Sequence, residues 1–175
     1  SWATGGTGTN EIAVNEFTAL NYAALYTCVT LIAGTIAGLP CKVFRKRSDG
    51  GQDEVGDHPA SDLLAREFSG NTSSMTGRQT EVGHLLTWGN QYTQILRSRG
   101  GDLLELYPIG PDVVRPETNK QGDLQYKVYD REGGDLTTLP RDEVLHTPSF
   151  SFDAMVGLST VKIAKTLIRQ GIGQD

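Results

Sequence analysis

Cysteine is scarce in this chain. Two cysteines, Cys28 and Cys41, stand in 175 residues, too few and too scattered for a disulfide framework, and no CxxC pair offers a zinc site. Both are expected as buried thiols. Histidine is equally thin: His58, His84 and His146 lie far apart, with no pair at metal-ligand spacing. Basic charge is in deficit too, 16 Lys and Arg against 21 Asp and Glu for a net charge of −5. That balance excludes a conventional DNA-binding domain, which needs a basic stripe to release counterions from phosphates. No Lys or Arg precedes Lys42, so the charged leader of a secretory signal is missing, and synthesis in a reducing cytoplasm is expected.

The longest gap is in charge of either sign. From Phe17 to Cys41 there is no Asp, Glu, Lys or Arg, and Lys42, Arg45, Lys46 and Arg47 follow directly. Such a run with a basic flank could describe a membrane-attached segment over Ala19 to Ile36. Its apolar residues instead follow a helical stripe, with Tyr22, Leu25, Val29, Ile32, Ala33 and Ile36 on one face. Leu20, Ala23, Ala24, Thr27, Thr30, Leu31 and Gly34 fall on the other, where a helix facing water would carry Lys or Glu. The second face is therefore expected to be covered as well, by more of this chain, by a neighbouring subunit, or because the helix is a central core element.

The length suits one sizeable core. Ser1 to Thr9 is Gly/Thr-rich and reads as part of a flexible arm over residues 1–14. A helix from about Thr18 should stop at Gly38-Leu39-Pro40, with glycine as cap, and Cys41 to Lys46 alternates as a strand ending at Asp49-Gly50-Gly51. A short helix over Ala60–Glu67 offers Leu63, Leu64 and Phe68 to the core; after a loop from Ser69 to Met75, Thr76 and Gln79 make a capping box for a longer helix ending at Gly89-Asn90. From Gln91 the period becomes two. Short strands follow at Tyr92–Arg97, Leu103–Pro108, Asp112–Pro116, Leu124–Tyr129 and Leu136–Leu139, punctuated by glycine turns, and predict an antiparallel meander. A helical turn at Pro140–Glu143, a strand at Val144–Thr147 and a helix from Ser159 with Leu158, Val161, Ala164 and Ile168 inward complete the order. Segregated helices and strands indicate an α+β fold.

Catalytic groupings are hard to assemble. Gly5-Gly6-Thr7-Gly8-Thr9 lacks the Gly-Lys-Ser/Thr ending of a phosphate loop. The carboxylates of Asp53, Glu54, Asp57, Asp142 and Glu143 fall in polar turns or helix starts, and Ser149 and Ser151 lack a nucleophile-elbow pattern. No catalytic, cofactor-binding or metal-ligating residue is nominated. The competing chemical reading is a small α+β hydrolase or nuclease using Asp142, Glu143 and His146.

Taken together, the junctions resemble the portal proteins of tailed bacteriophages, in the branch typified by phage Hong Kong 97. The resemblance spans nearly the whole chain: Ile36-Ala37-Gly38-Leu39-Pro40 running into Cys41-Lys42-Val43-Phe44-Arg45, Asp57-His58-Pro59 before Leu63-Leu64, and Leu85 to Tyr92. Leu104 to Ile109 with Pro111 to Val114, Asp142 to His146, and Gly157-Leu158-Ser159 continue it. Gln91 stands where the family often has a smaller residue, and Thr160 where a proline commonly follows Gly-Leu-Ser. The resemblance implies a non-enzymatic subunit of a dodecameric ring in the virion, at one capsid vertex, with the major capsid protein, the terminase large subunit and a head-tail adaptor as partners and no membrane. Double-stranded DNA would pass through the ring in packaging and ejection. It further implies that residues 15–158 are the wing and 159–175 the start of a helix leading to a stem and clip beyond Asp175. An acidic chain suits a tube through which DNA slides, since strong phosphate contacts would brake the movement.

Overall fold

A computed structural model of the chain describes residues 14–165. The arm up to Ala13, the glycine loop within it, and Ile168 of the last helix lie outside these residues.

The uncharged segment does not form one helix from Thr18. Asn15 Oδ1 accepts the backbone N–H groups of Phe17 and Thr18 at 3.0 and 2.9 Å, which starts a separate 3₁₀ turn over Thr18–Asn21. Tyr22 is extended, and α1 runs Ala23–Ala37. The break turns Ala19 into a small core with Val14 and Val161. At the other end Gly38 is the cap, as expected, with right-handed backbone. Pro40 bars continuation, because it disfavours helical backbone at Leu39.

Beyond α1, strands β1 (Phe44–Lys46) and β2 (Gln52–Glu54) form a hairpin around Gly50, all six residues exposed. The helix α2 (Pro59–Ala65) begins where His58 Nδ1 accepts the Ala60 N–H at 3.1 Å. The expected loop after it folds as a second small hairpin, β3 (Glu67–Ser69) and β4 (Thr72–Ser73). That pairing moves the start of α3 (Ser74–Trp88) forward: Ser73 is the cap, accepting from the Thr76 N–H at 3.1 Å, so Thr76 is the third helical residue and not the cap.

The strands β5 (Asn90–Arg97), β6 (Leu103–Ile109), β7 (Val114–Thr118), β8 (Leu124–Tyr129), β9 (Asp135–Pro140) and β10 (Val144–Pro148) are antiparallel, as the period of two predicts. Gly101, Gly122 and Gly133 take positive φ at their turns. A single meander is not what they build. They split into two sheets, ordered β10-β5-β6 and β7-β8-β9, with β10 returning to pair with β5. Alternation sets which face of a strand is apolar and leaves its neighbour open, and here two apolar faces close on each other through Tyr92 and Val144 against Tyr126, Val128 and Leu139.

The helices stack on the first sheet in order. Glu81 of α3 meets Thr93 of β5, and Gly77 of α3 leaves room for the Phe68 ring, which a Cβ there would approach to 2.1 Å. On the far side of α3, α1 lies close, with Gly34 opposite Gln79, and the Arg78 guanidinium donates to the carbonyls of Ala37 and Leu64. Those carbonyls end α1 and α2 and have no partner within their helices. The layers thus run α1, α3, first sheet, second sheet. The helix sheltered on both sides is α3.

Candidate assembly surface

Residues of two junctions come together where α3 meets β5 and where β10 leads to α4 (Thr160–Ile163). Gly89 closes α3 at φ 72°, and its notional Cβ would lie 2.0 Å from Leu158 O. Only glycine fits, on both backbone and space. Beside it the Asn90 amide grips Gly157 twice: Nδ2 donates to Gly157 O and Oδ1 accepts the Gly157 N–H, both at 2.8 Å. Gly157 is itself confined, since a Cβ would stand 1.9 Å from Gly89 O. Ser159 then caps α4, accepting the Lys162 N–H at 3.1 Å, while its own hydroxyl proton faces Glu16 Oε1 at 2.9 Å and Thr87 O at 3.0 Å. Glu16 is buried, with Lys162 Nζ 4.0 Å away. This clasp fixes the start of α4, whose Val161 packs with Val14 and Ala19.

His146 belongs to the same cluster. Its Nε2 faces Asn90 Oδ1 at 3.2 Å, its Nδ1 the Tyr126 hydroxyl at 3.4 Å, and its ring stacks on Tyr92 at 4.3 Å. Burial first, then the Arg141 charge, lowers its pKa to about 4, so it is neutral near pH 7. Asp142 is exposed and Glu143 half-buried on the 3₁₀ turn before β10. The three residues of the hydrolase reading are thus neighbours in sequence, but the imidazole faces an amide and a phenol rather than their carboxylates. His58 is a helix cap. His84 lies edge-on to Trp88 at 5.5 Å; burial lowers its pKa, and its Nδ1 is buried without a hydrogen-bond partner. Among the described residues no group of His, Cys, Asp and Glu could hold a metal ion.

The other half of the surface is α1. Its inward line is Tyr22, Leu25, Val29, Ala33 and Ala37, of which only the two alanines are fully buried. Ile32 and Ile36, expected on the core face, are 42% and 45% exposed, because Ala33 and Ala37 occupy the line of approach to α3. The second face is largely open in this chain: Ala23, Ala24, Thr27 and Thr30 are exposed and Leu31 is 67% exposed, while Gly34 lies against Gln79 of α3. Cys28 is exposed there and Cys41 half-exposed, so neither is the buried thiol expected. No described helix is long and apolar enough to cross a membrane.

The polar clasp at the start of α4 thus lies beside a helix, α1, that carries no charged residue. The chain belongs to the phage portal protein family, whose sequence model matches residues 23–174. It is 24% identical over 155 residues to the portal protein of Enterobacteria phage HK97, covering 88% of this chain and 36% of that protein. In fold it is similar to a chain from the neck of an empty gene transfer agent particle computed with C6 symmetry, with a TM-score of 0.74 and 19% identity over 90% of this chain and 44% of that one. An HK97-family phage portal protein from Corynebacterium diphtheriae matches at a TM-score of 0.59 and 14% identity, over 90% of this chain and 45% of that one. The chain therefore spans less than half the length of these relatives.

The clasp was only partly visible in the sequence. Gly89-Asn90 and Gly157-Leu158-Ser159 stand out as junctions, but the partnership of Ser159 with Glu16 joins residues 143 positions apart and leaves no local signal.

Proposed function

We propose that this chain is the wing-forming part, over residues 15–158, of a subunit that closes into a ring at one vertex of a phage-type capsid. The ring is a dodecamer, the conduit through which double-stranded DNA is packaged and later ejected. It is also the platform for the terminase large subunit and the head-tail adaptor, seated within the major capsid protein, and is made in the cytoplasm of the bacterial host. The observation that carries this reading is the open face of α1. No acid or base occurs from Phe17 to Cys41, yet Leu31 is 67% exposed and Ala24 and Thr27 are open beside it. A helix that served in water would carry charge there, and an exposed apolar face of this kind marks a contact surface. Family membership supports neighbouring subunits as the cover. The net charge of −5 agrees with a conduit that lets DNA pass without gripping it.

Electron micrographs of the full-length protein test this. Closed rings with a central hole are expected, and full-length protein that stays monomeric at all concentrations refutes the reading.

A further inference from the structure

The loop between β10 and α4 carries Phe150 and Phe152, 70% and 85% exposed, their rings edge to face at 5.3 Å. Two large rings held this far into water form an anchor of the sort that dominates protein interfaces. The loop that bears them is pinned. Asp153 accepts the Ser151 hydroxyl at 2.6 Å and the N–H groups of Met155 and Val156 at 2.8 Å each. At its ends the Ser149 N–H donates to Gly89 O at 2.8 Å and the Leu158 N–H to Phe150 O at 2.9 Å. Ala154 is held at φ 59°, a conformation that non-glycine residues adopt only when their surroundings enforce it. A loop already ordered loses little entropy on docking.

Between α1 and α4 lies an apolar cavity of about 200 Å³, lined by Tyr22, Leu25 and Cys28 on one side and Thr160, Val161 and Ala164 on the other. A dry cavity of about 150 Å³ already holds a benzene ring, so one phenyl group fits. The two features match in charge as well as size. The single carboxylate of the loop is consumed by its own hydrogen bonds, and α1 has no charged residue. They are separate surfaces: the cavity lies between α1 and α4, whereas Asp153, Ala154 and Met155 lie against Leu124 and Arg141 beside the second sheet.

We propose that the Phe150–Phe152 loop of one copy of this chain docks in the α1–α4 cavity of the next. A wedge and a socket on different flanks make a head-to-tail contact, the type that generates rings when the rotation between copies closes. The inference rests on the ring reading above and adds which surfaces meet.

The test uses the full-length protein with Cys41→Ser, which leaves Cys28 in the cavity, and a second thiol introduced by Ala154→Cys, which keeps both rings. A short bis-maleimide present in limiting amount while dissociated subunits, whose Cys28 is exposed, assemble is expected to give a ladder of covalent multimers on a denaturing gel, absent from the Cys41→Ser parent. In a separate variant, Phe152→Ser should weaken assembly on the order of 30-fold, the loss of one hot-spot aromatic, without lowering the melting temperature of the dissociated subunit. Rings without a ladder, a cross-link confined to single subunits, or undiminished assembly of Phe152→Ser each overturn the docking while leaving the ring reading intact. A parent that forms no rings overturns both.

Discussion

Replacing Asn90 by alanine removes the centre of the clasp. Asn90 is 6% exposed, and its side chain satisfies both the N–H and the carbonyl of buried Gly157 while holding His146. Truncation leaves those two backbone groups without partners in a place that water reaches poorly. Each buried orphan costs about 1–3 kcal/mol, so the expected destabilisation is about 2–6 kcal/mol. Against the roughly 5–15 kcal/mol that holds a domain together, this is a large fraction. At about 2–4 °C per kcal/mol for a chain of this size, the melting temperature should fall by roughly 5–20 °C. Urea titration followed by circular dichroism should show a lower midpoint with an unchanged slope. Asn71→Ala, at an exposed position, serves as the control and should stay within about 0.5 kcal/mol of the parent. An Asn90→Ala midpoint equal to that of the control would refute the clasp as a stabilising element.

Three further outcomes follow from the same geometry. Gly77→Ala forces a methyl group into the Phe68 ring, whose nearest atom is 2.1 Å from the ideal Cβ; about 1–3 kcal/mol should be lost in urea titration, and Gly77→Ala combined with Phe68→Ala should lose less than the sum of the two. His146 titrates near pH 4 in the fold against 6.5 unfolded, so the neutral ring is the form the fold favours. Its contribution is complete above pH 6.5 and is lost as pH falls toward 4; urea midpoints across that range should decline in the parent and decline less in His146→Gln. Leu31→Lys, on the open face of α1, should leave the melting temperature of the dissociated subunit within a degree or two while lowering the yield of rings from the full-length protein severalfold by gel filtration.

What the sequence made legible was local. The turns at Gly101, Gly122 and Gly133 announce themselves because positive φ favours glycine within four residues of chain, and the period-two strands between them follow. Helix boundaries were harder, since Ser73 and Thr76 are both good caps and only the β3–β4 pairing decides between them. The split into two sheets depends on β10 pairing with β5 across some fifty residues, and no strand sequence encodes its neighbour. On α1 the stripe was legible but not its depth. Ala33 and Ala37 permit close approach to α3, and that approach tilts Ile32 and Ile36 out toward the flank. The functional surface was visible mainly as an absence, the missing charges of residues 17–41; the pinned aromatic loop that follows β10 drew notice only for its two serines.

Thiol reactivity of Cys28 tests the central claim most directly, because this cysteine lies on the outward side of α1 and is exposed in the single chain. In full-length protein carrying Cys41→Ser, the rate of labelling by a maleimide should drop at least tenfold between dissociated subunits and assembled rings. Equal rates in the two states would show that α1 stays bare in the assembly and would contradict the account.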